Sequence, residues 1–171
     1  DLSQQKTFID FVFQDDNANE YPQVRIGAEV GQNGNSDTQI KEGSGAFVVY
    51  TNNATGDGPG SPTGLAERFR VDYKGNVGIG VTNPETPLHV VSTTTDNAST
   101  MLVQNTSTGD ASIKFNISGD TYSIGIDNSD GDKFKLSAGA VGTTDRIVVD
   151  STGKVGIGTS TPDYKLDVNG N

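Results

Sequence analysis

Arg68–Val90 reads RFRVDYKGNVGIGVTNPETPLHV, and Arg146–Val168 reads RIVVDSTGKVGIGTSTPDYKLDV. The two stretches align without a gap at an offset of 78 residues, with 11 of 23 positions identical. The shared residues are Gly, Val, Ile, Leu, Pro, Arg and one Asp. These belong to turns and packed strands rather than to reaction chemistry. A strand-and-turn unit written twice implies a chain built lengthwise, and hence an architectural or binding role before an enzymatic one.

Within the repeat, Asp72-Tyr73-Lys74-Gly75 and Asp150-Ser151-Thr152-Gly153 carry Asp at the first turn position and Gly at the fourth. That pattern predicts a type I turn closed by a left-handed glycine, a three-residue hairpin with a bulge. Asp72 and Asp150 then serve the turn by accepting backbone hydrogen bonds. Val77-Gly78-Ile79-Gly80 and Val155-Gly156-Ile157-Gly158 follow. Read as strand, Val and Ile face a core, and both glycines face the other way, where a second backbone comes close or the chain bends. A phosphate-cradling loop is excluded by the lack of GK[ST], of a following helix and of a complete GxGxxG. Pro84 and Pro162 break the strand. Leu88 and Val90, like Leu166 and Val168, resume it at period two. The sole histidine, His89, points away from that apolar face and reads as solvated.

The repeat continues upstream. The second copy predicts strands at Ala111–Ile117, Tyr122–Ile126, Lys133–Leu136, Arg146–Val149, Lys154–Gly158 and Lys165–Val168, separated by Gly, Asn, Asp, Ser and Thr. In the first copy Ile9, Phe11 and Phe13 match Ile113, Phe115 and Ile117. Val24–Ala28 matches Tyr122–Ile126, and Ala46–Tyr50 matches Lys133–Ser137. Gly64–Arg68 is the sole stretch that suggests a helical turn, and it is too short to stand alone. The division is therefore 1–92 for a first module and 93–171 for a second. Three connections of the first copy are longer than their counterparts, by 6, 11 and 9 residues. Loops carry specificity when a scaffold is reused, and neutral drift lengthens them equally well. The candidate ligand-binding residues lie in or beside these loops: Asn17, Tyr21, Asn33, Asn35, Tyr50, Asn52 and Asn53. Tyr21 and Tyr50 suit stacking on a sugar ring as well as a place in a core or rim.

Composition narrows the class. The 171 residues include 22 Gly, and hydrophobic residues make up 32 %, well below the usual share of roughly 45–50 %. The apolar residues are β-branched or aromatic and alternate, which favours short strands over disorder. Such a chain gains by burying surface against copies of itself. A net charge of −10 without a basic run argues against nucleic-acid binding. No apolar run approaches the roughly 20 residues of a membrane span. The chain opens at Asp1 without Met or a signal peptide and reads as a fragment or a processed chain. With no cysteine, disulfides and thiolate metal sites are excluded. No cofactor is expected. Asp127, Asp130 and Asp132 are the candidates for a bound cation, but Gly131 falls one place early for an EF-hand loop. An Asp-Gly hairpin turn explains them more simply.

The phrases GNVGIGVTNPETPLHV and GKVGIGTSTPDYKLDVNG resemble the repeated module of phage and virus tail fibres, VGIGTxxPxxxLxVxG, often found upstream of an endosialidase-type chaperone. GDASIKFNISGDTYSIGIDNSDGDKFKLS resembles the body of that module. The likeness covers nearly all of the second copy and, in the first, holds well from Arg68 on. It implies an all-β, homotrimeric fibre segment on the virion, outside the cell, that contributes to attachment. The partners it implies are its own copies, other tail proteins and a host surface glycan or protein. It supplies no catalytic residues, and the expectation is a non-enzyme. The alternatives are a polysaccharide depolymerase, which needs a carboxylate pair at a defined separation, and a bacterial surface adhesin.

Overall fold

In a computed structural model of the chain, residues 6–12, 22–30, 45–52, 64–93, 95–96 and 98–170 are described. The chain divides into two compact units, Asp1–Thr100 and Met101–Asn171. Each contains one six-stranded sheet, and the protein is all-β. In the first unit the strands are β1 (Lys6–Phe11), β2 (Val24–Val30), β3 (Gly45–Asn52), β4 (Leu65–Val71), β5 (Val77–Ile79) and β6 (Leu88–Val90). In the second they are β7 (Ala111–Ile117), β8 (Asp120–Asp127), β9 (Lys133–Ala138), β10 (Asp145–Val149), β11 (Val155–Ile157) and β12 (Leu166–Val168). A 3₁₀ turn, Asn128–Asp130, joins β8 to β9. Among the described residues no helix is long and apolar enough to cross a membrane.

Both sheets follow chain order. The first five strands form an antiparallel meander, and the sixth lies parallel to the fifth. The ladders also share one register. Ile9 pairs with Ile26 as Ile113 does with Ile124. Phe47 pairs with Val71 as Phe134 does with Val149. Val77 pairs with Leu88 as Val155 does with Leu166. Even the irregularity repeats. Arg68 is skipped between Glu67 and Phe69, and Arg146 between Asp145 and Ile147, each a β-bulge. Gly64–Arg68, where the sequence suggests a helical turn, is instead largely strand: β4 begins at Leu65. Pairing with β3 decides this stretch, because tertiary pairing overrides a weak local preference.

Period-two alternation sorts each sheet into two unlike faces. One carries Ile113, Phe115, Tyr122, Ile124, Phe134, Leu136, Ile157 and Leu166, matched in the first unit by Ile9, Phe11, Val24, Ile26, Phe47, Val49, Ile79 and Leu88. This apolar face is open: Phe115 is 56 % exposed and Leu166 61 %. The other face is polar, and it is the buried one. Ser137 is 0 % exposed and Lys135 2 %. Val48 and Val148 are also fully buried there.

What covers the polar face is the chain itself. The loop from β5 to β6, and that from β11 to β12, folds back across it. Gly78 and Gly156 lie beneath these loops. A Cβ at Gly78 would sit 2.6 Å from the Val81 carbonyl oxygen, and one at Gly156 would meet that of Thr159. Gly80 and Gly158 behave differently from the strand reading: both lie past the strand end in the left-handed region, at φ 71°. Their N–H groups donate to the carbonyls of the bulged Arg68 (3.0 Å) and Arg146 (3.1 Å). Pro84 and Pro162 are buried at the loops' midpoints. The Asn76 side chain donates to the Pro84 carbonyl (3.2 Å), and Lys154 Nζ to that of Pro162 (3.3 Å).

Candidate functional site

The polar face of each unit holds a buried charge cluster. In the second unit Lys135 Nζ lies 2.8 Å from Asp127, 2.6 Å from Asp130 and 3.0 Å from Asp145. Burial alone would lower the lysine's pKa, but the three carboxylates outweigh it and raise it. The Lys135 hydrogen bond, helped by Ser129, holds Asp127 below its ordinary value. Hydrogen bonds from Lys135 and Lys133 do the same for Asp130. Ser137 Oγ completes the cluster by donating to Asp145 (2.7 Å).

In the first unit the centre is Arg70. It donates to Glu67 through Nε and Nη2 (both 2.6 Å) and to Glu29 through Nη2 (3.0 Å). Glu29 also receives Lys6 Nζ (2.7 Å) and the Tyr50 hydroxyl. Burial works against the charge on Glu29, yet the bonds from Lys6, Tyr50 and Arg70 keep its pKa lowered. Burial and the Glu29 carboxylate push the Tyr50 hydroxyl up. The Tyr50 ring packs edge-on against Phe8, centroids 5.8 Å apart. Arg25 lies over Phe8 at 4.6 Å and pairs with Asp10 at 2.7 Å. Among the described residues no buried side-chain nitrogen or oxygen lacks a hydrogen-bond partner.

These clusters place several of the residues singled out in the sequence. Tyr50 spends its hydroxyl on Glu29. Asn52 sits at the end of β3, with its N–H on the Gln23 carbonyl (2.9 Å) and its side chain on the Pro22 carbonyl (3.4 Å). Asn17, Tyr21, Asn33, Asn35 and Asn53 lie outside the described residues. Of the three cation candidates, Asp127 and Asp130 are occupied by Lys135. Asp132 turns aside to Asn128 (3.4 Å) from a left-handed backbone, φ 57°. Among the described residues no cluster of three His, Cys, Asp or Glu side chains is arranged to hold a metal ion.

At the turns, the N–H groups of Lys74 and Asn76 both donate to Asp72 Oδ1 at 2.8 Å. Those of Thr152 and Lys154 donate to Asp150 Oδ1 at 2.9 Å. Gly75 and Gly153 take φ of 85° and 76°. His89 is half-buried rather than freely solvated. Its Nδ1 accepts from the Glu85 N–H (3.4 Å), as Asp167 Oδ2 does from Asp163 (3.0 Å). Two unlike side chains thus pin the same loop.

The charge clusters themselves are not evident in the sequence. One signal does exist in retrospect: acids recur at matched positions, Glu29 with Asp127 and Glu67 with Asp145. The cation has no such signal, because Arg70 and Lys135 stand on different strands.

The first unit also has a cleft of about 520 Å³ between its polar face and the loop from β5 to β6. Glu29, Ala46, Arg70, Tyr73, Asn83 and Glu85 are among the residues that line it.

No protein-family model and no curated protein matches this sequence.

Proposed function

We propose that this chain is a structural and attachment segment of a viral tail fibre, assembled as a homotrimer and displayed outside the cell. The observation that carries this reading is the inverted burial of the two sheets. Each unit buries its polar face under its own loops and leaves its apolar face open. Contiguous exposed apolar surface on this scale marks an interaction site. Because the apolar pattern repeats in register along the chain, the partner that fits both faces is a second and third copy laid alongside. The likeness to the fibre repeat is the ground for proposing three. Such packing supplies the core that a cysteine-free chain, poor in hydrophobic residues, otherwise lacks.

A non-enzymatic role is supported by the state of the buried acids. Glu29 and Asp127 are each held by a protein cation, so neither is a free acid or base of the kind glycoside hydrolysis needs. Immuno-electron microscopy of particles from the source culture, with antibody raised against this chain, tests the proposal. Label along tail fibres is expected. Label on cell-surface filaments would overturn the virion assignment in favour of an adhesin.

A further inference from the structure

Beside the charge clusters, the polar faces of the two units differ again where β3 and β9 begin. In the second, Lys133 reaches across from β9 toward the crossover loop. Its Nζ donates to Asp130 (2.9 Å) and to the Ser160 carbonyl (3.1 Å). Lys133 pairs across the ladder with Asp127, and the matching pair in the first unit is Ala46 with Glu29. A methyl group therefore stands where the second unit has a lysine, and the cleft of about 520 Å³ opens there. That volume lies within the range of small-molecule sites, roughly 300–1,000 Å³.

The lining also differs from its counterpart. Tyr73 replaces Ser151 at the turn, and Asn83 replaces Thr161 on the loop. Tyr73 is 40 % exposed, with the Lys74 ammonium 5.4 Å from its ring centre. The Tyr73 hydroxyl, the Asn83 amide and the Glu85 carboxylate make no hydrogen bond to other side chains among the described residues. They are open to a ligand. The charges at the cleft are of both signs, and Arg70 is already neutralised by Glu29 and Glu67. An ion of either sign gains little there, and a polyanion is further disfavoured by the chain's net charge of −10. What the lining suits is an uncharged molecule with many hydroxyls and one apolar C–H face to lie on a tyrosine.

We infer that the cleft of the first unit binds a short stretch of neutral saccharide, and that the second unit lacks this site because Lys133 fills it. The inference deepens the attachment reading and rests on it, but the two fail separately. A trimer can lack a sugar site, and a sugar site can sit on a single chain.

Saturation-transfer NMR on the whole chain tests it, with neutral hexoses, N-acetylhexosamines and their α- and β-linked disaccharides as probes. Transfer to the C–H protons of at least one sugar is expected. Ala46→Lys, which refills the cleft, and Tyr73→Ala, at an exposed turn, should each weaken that sugar's binding at least tenfold. Ser151→Ala, the matching turn position of the second unit, should leave binding unchanged. Tyr73→Ala carries the test alone if Ala46→Lys does not fold. Absence of transfer to every probe, or transfer that persists in the variants that fold, overturns the inference.

Discussion

The two units solve one electrostatic problem from opposite strands. In the first, Val48 of β3 pairs with Arg70 of β4. In the second, Lys135 of β9 pairs with Val148 of β10. The strands are equivalent and so are the positions, but valine and cation have exchanged places. The acids have not moved: Glu29 and Asp127 match, as do Glu67 and Asp145. What this fold requires is a positive charge between two fixed acids, and either neighbouring strand can supply it. Specificity of that kind resides in a location in space, not in a column of an alignment.

Removal of the cation should have the largest effect. Lys135→Val leaves Asp127 and Asp145 buried without their partner and should cost about 3–5 kcal/mol, read from urea denaturation followed by circular dichroism. If the exchange is real, adding Val148→Arg in the same chain transplants the first unit's arrangement and recovers more than half of that loss. The same cluster sets an acid limit. Asp127 and Asp130 have folded pKa values below their ordinary 3.8. Their stabilisation is therefore complete above about pH 4 and is lost as pH falls through the lower folded values. Denaturation midpoints should hold above about pH 4 and drop as the pH falls below it in the native chain. The drop should shrink in Lys135→Val, whose carboxylates have lost the cation that favoured their ionised form.

A smaller effect should be shared by both units. Gly156→Ala pushes a Cβ against the Thr159 carbonyl, and Gly78→Ala does so against Val81. Each should cost about 1–3 kcal/mol through displacement of the crossover loop. Hydrogen exchange in β12 and β6, respectively, locates the damage. Smaller again, Gly153→Ala forces a side chain into a left-handed turn and should cost about 1–2 kcal/mol. Gly75→Ala should match it. Unequal losses within either pair would mean that the two copies of the repeat do not perform the same mechanical task.

Much of the fold was legible in the residues. Alternation placed β7 at Ala111–Ile117, and the Asp-to-Gly spacing marked the turns at Asp72 and Asp150. Both signals are local, and local signals survive in a sequence. Gly80 and Gly158 end their strands in a bend with a second backbone close by, as the glycine reading allows, but the strand end itself is hidden because a glycine at period two looks the same whether it continues a strand or ends it. The Leu65 strand start was hidden for a related reason: its β character comes from β3, a partner far away in the chain. The polar cluster was harder still. Lys135 reads as one more exposed lysine in KFKL until β8 and β10 bring three carboxylates to it. The cleft is legible only as a difference, Ala46 against Lys133, once the register of both sheets is known.

On the proposed reading, two further copies of this chain cover the open apolar faces. Sedimentation equilibrium at micromolar concentration tests it most directly. A species of three chain masses, each 17.9 kDa, that persists on dilution is expected. A stable, folded species of one chain mass would contradict it.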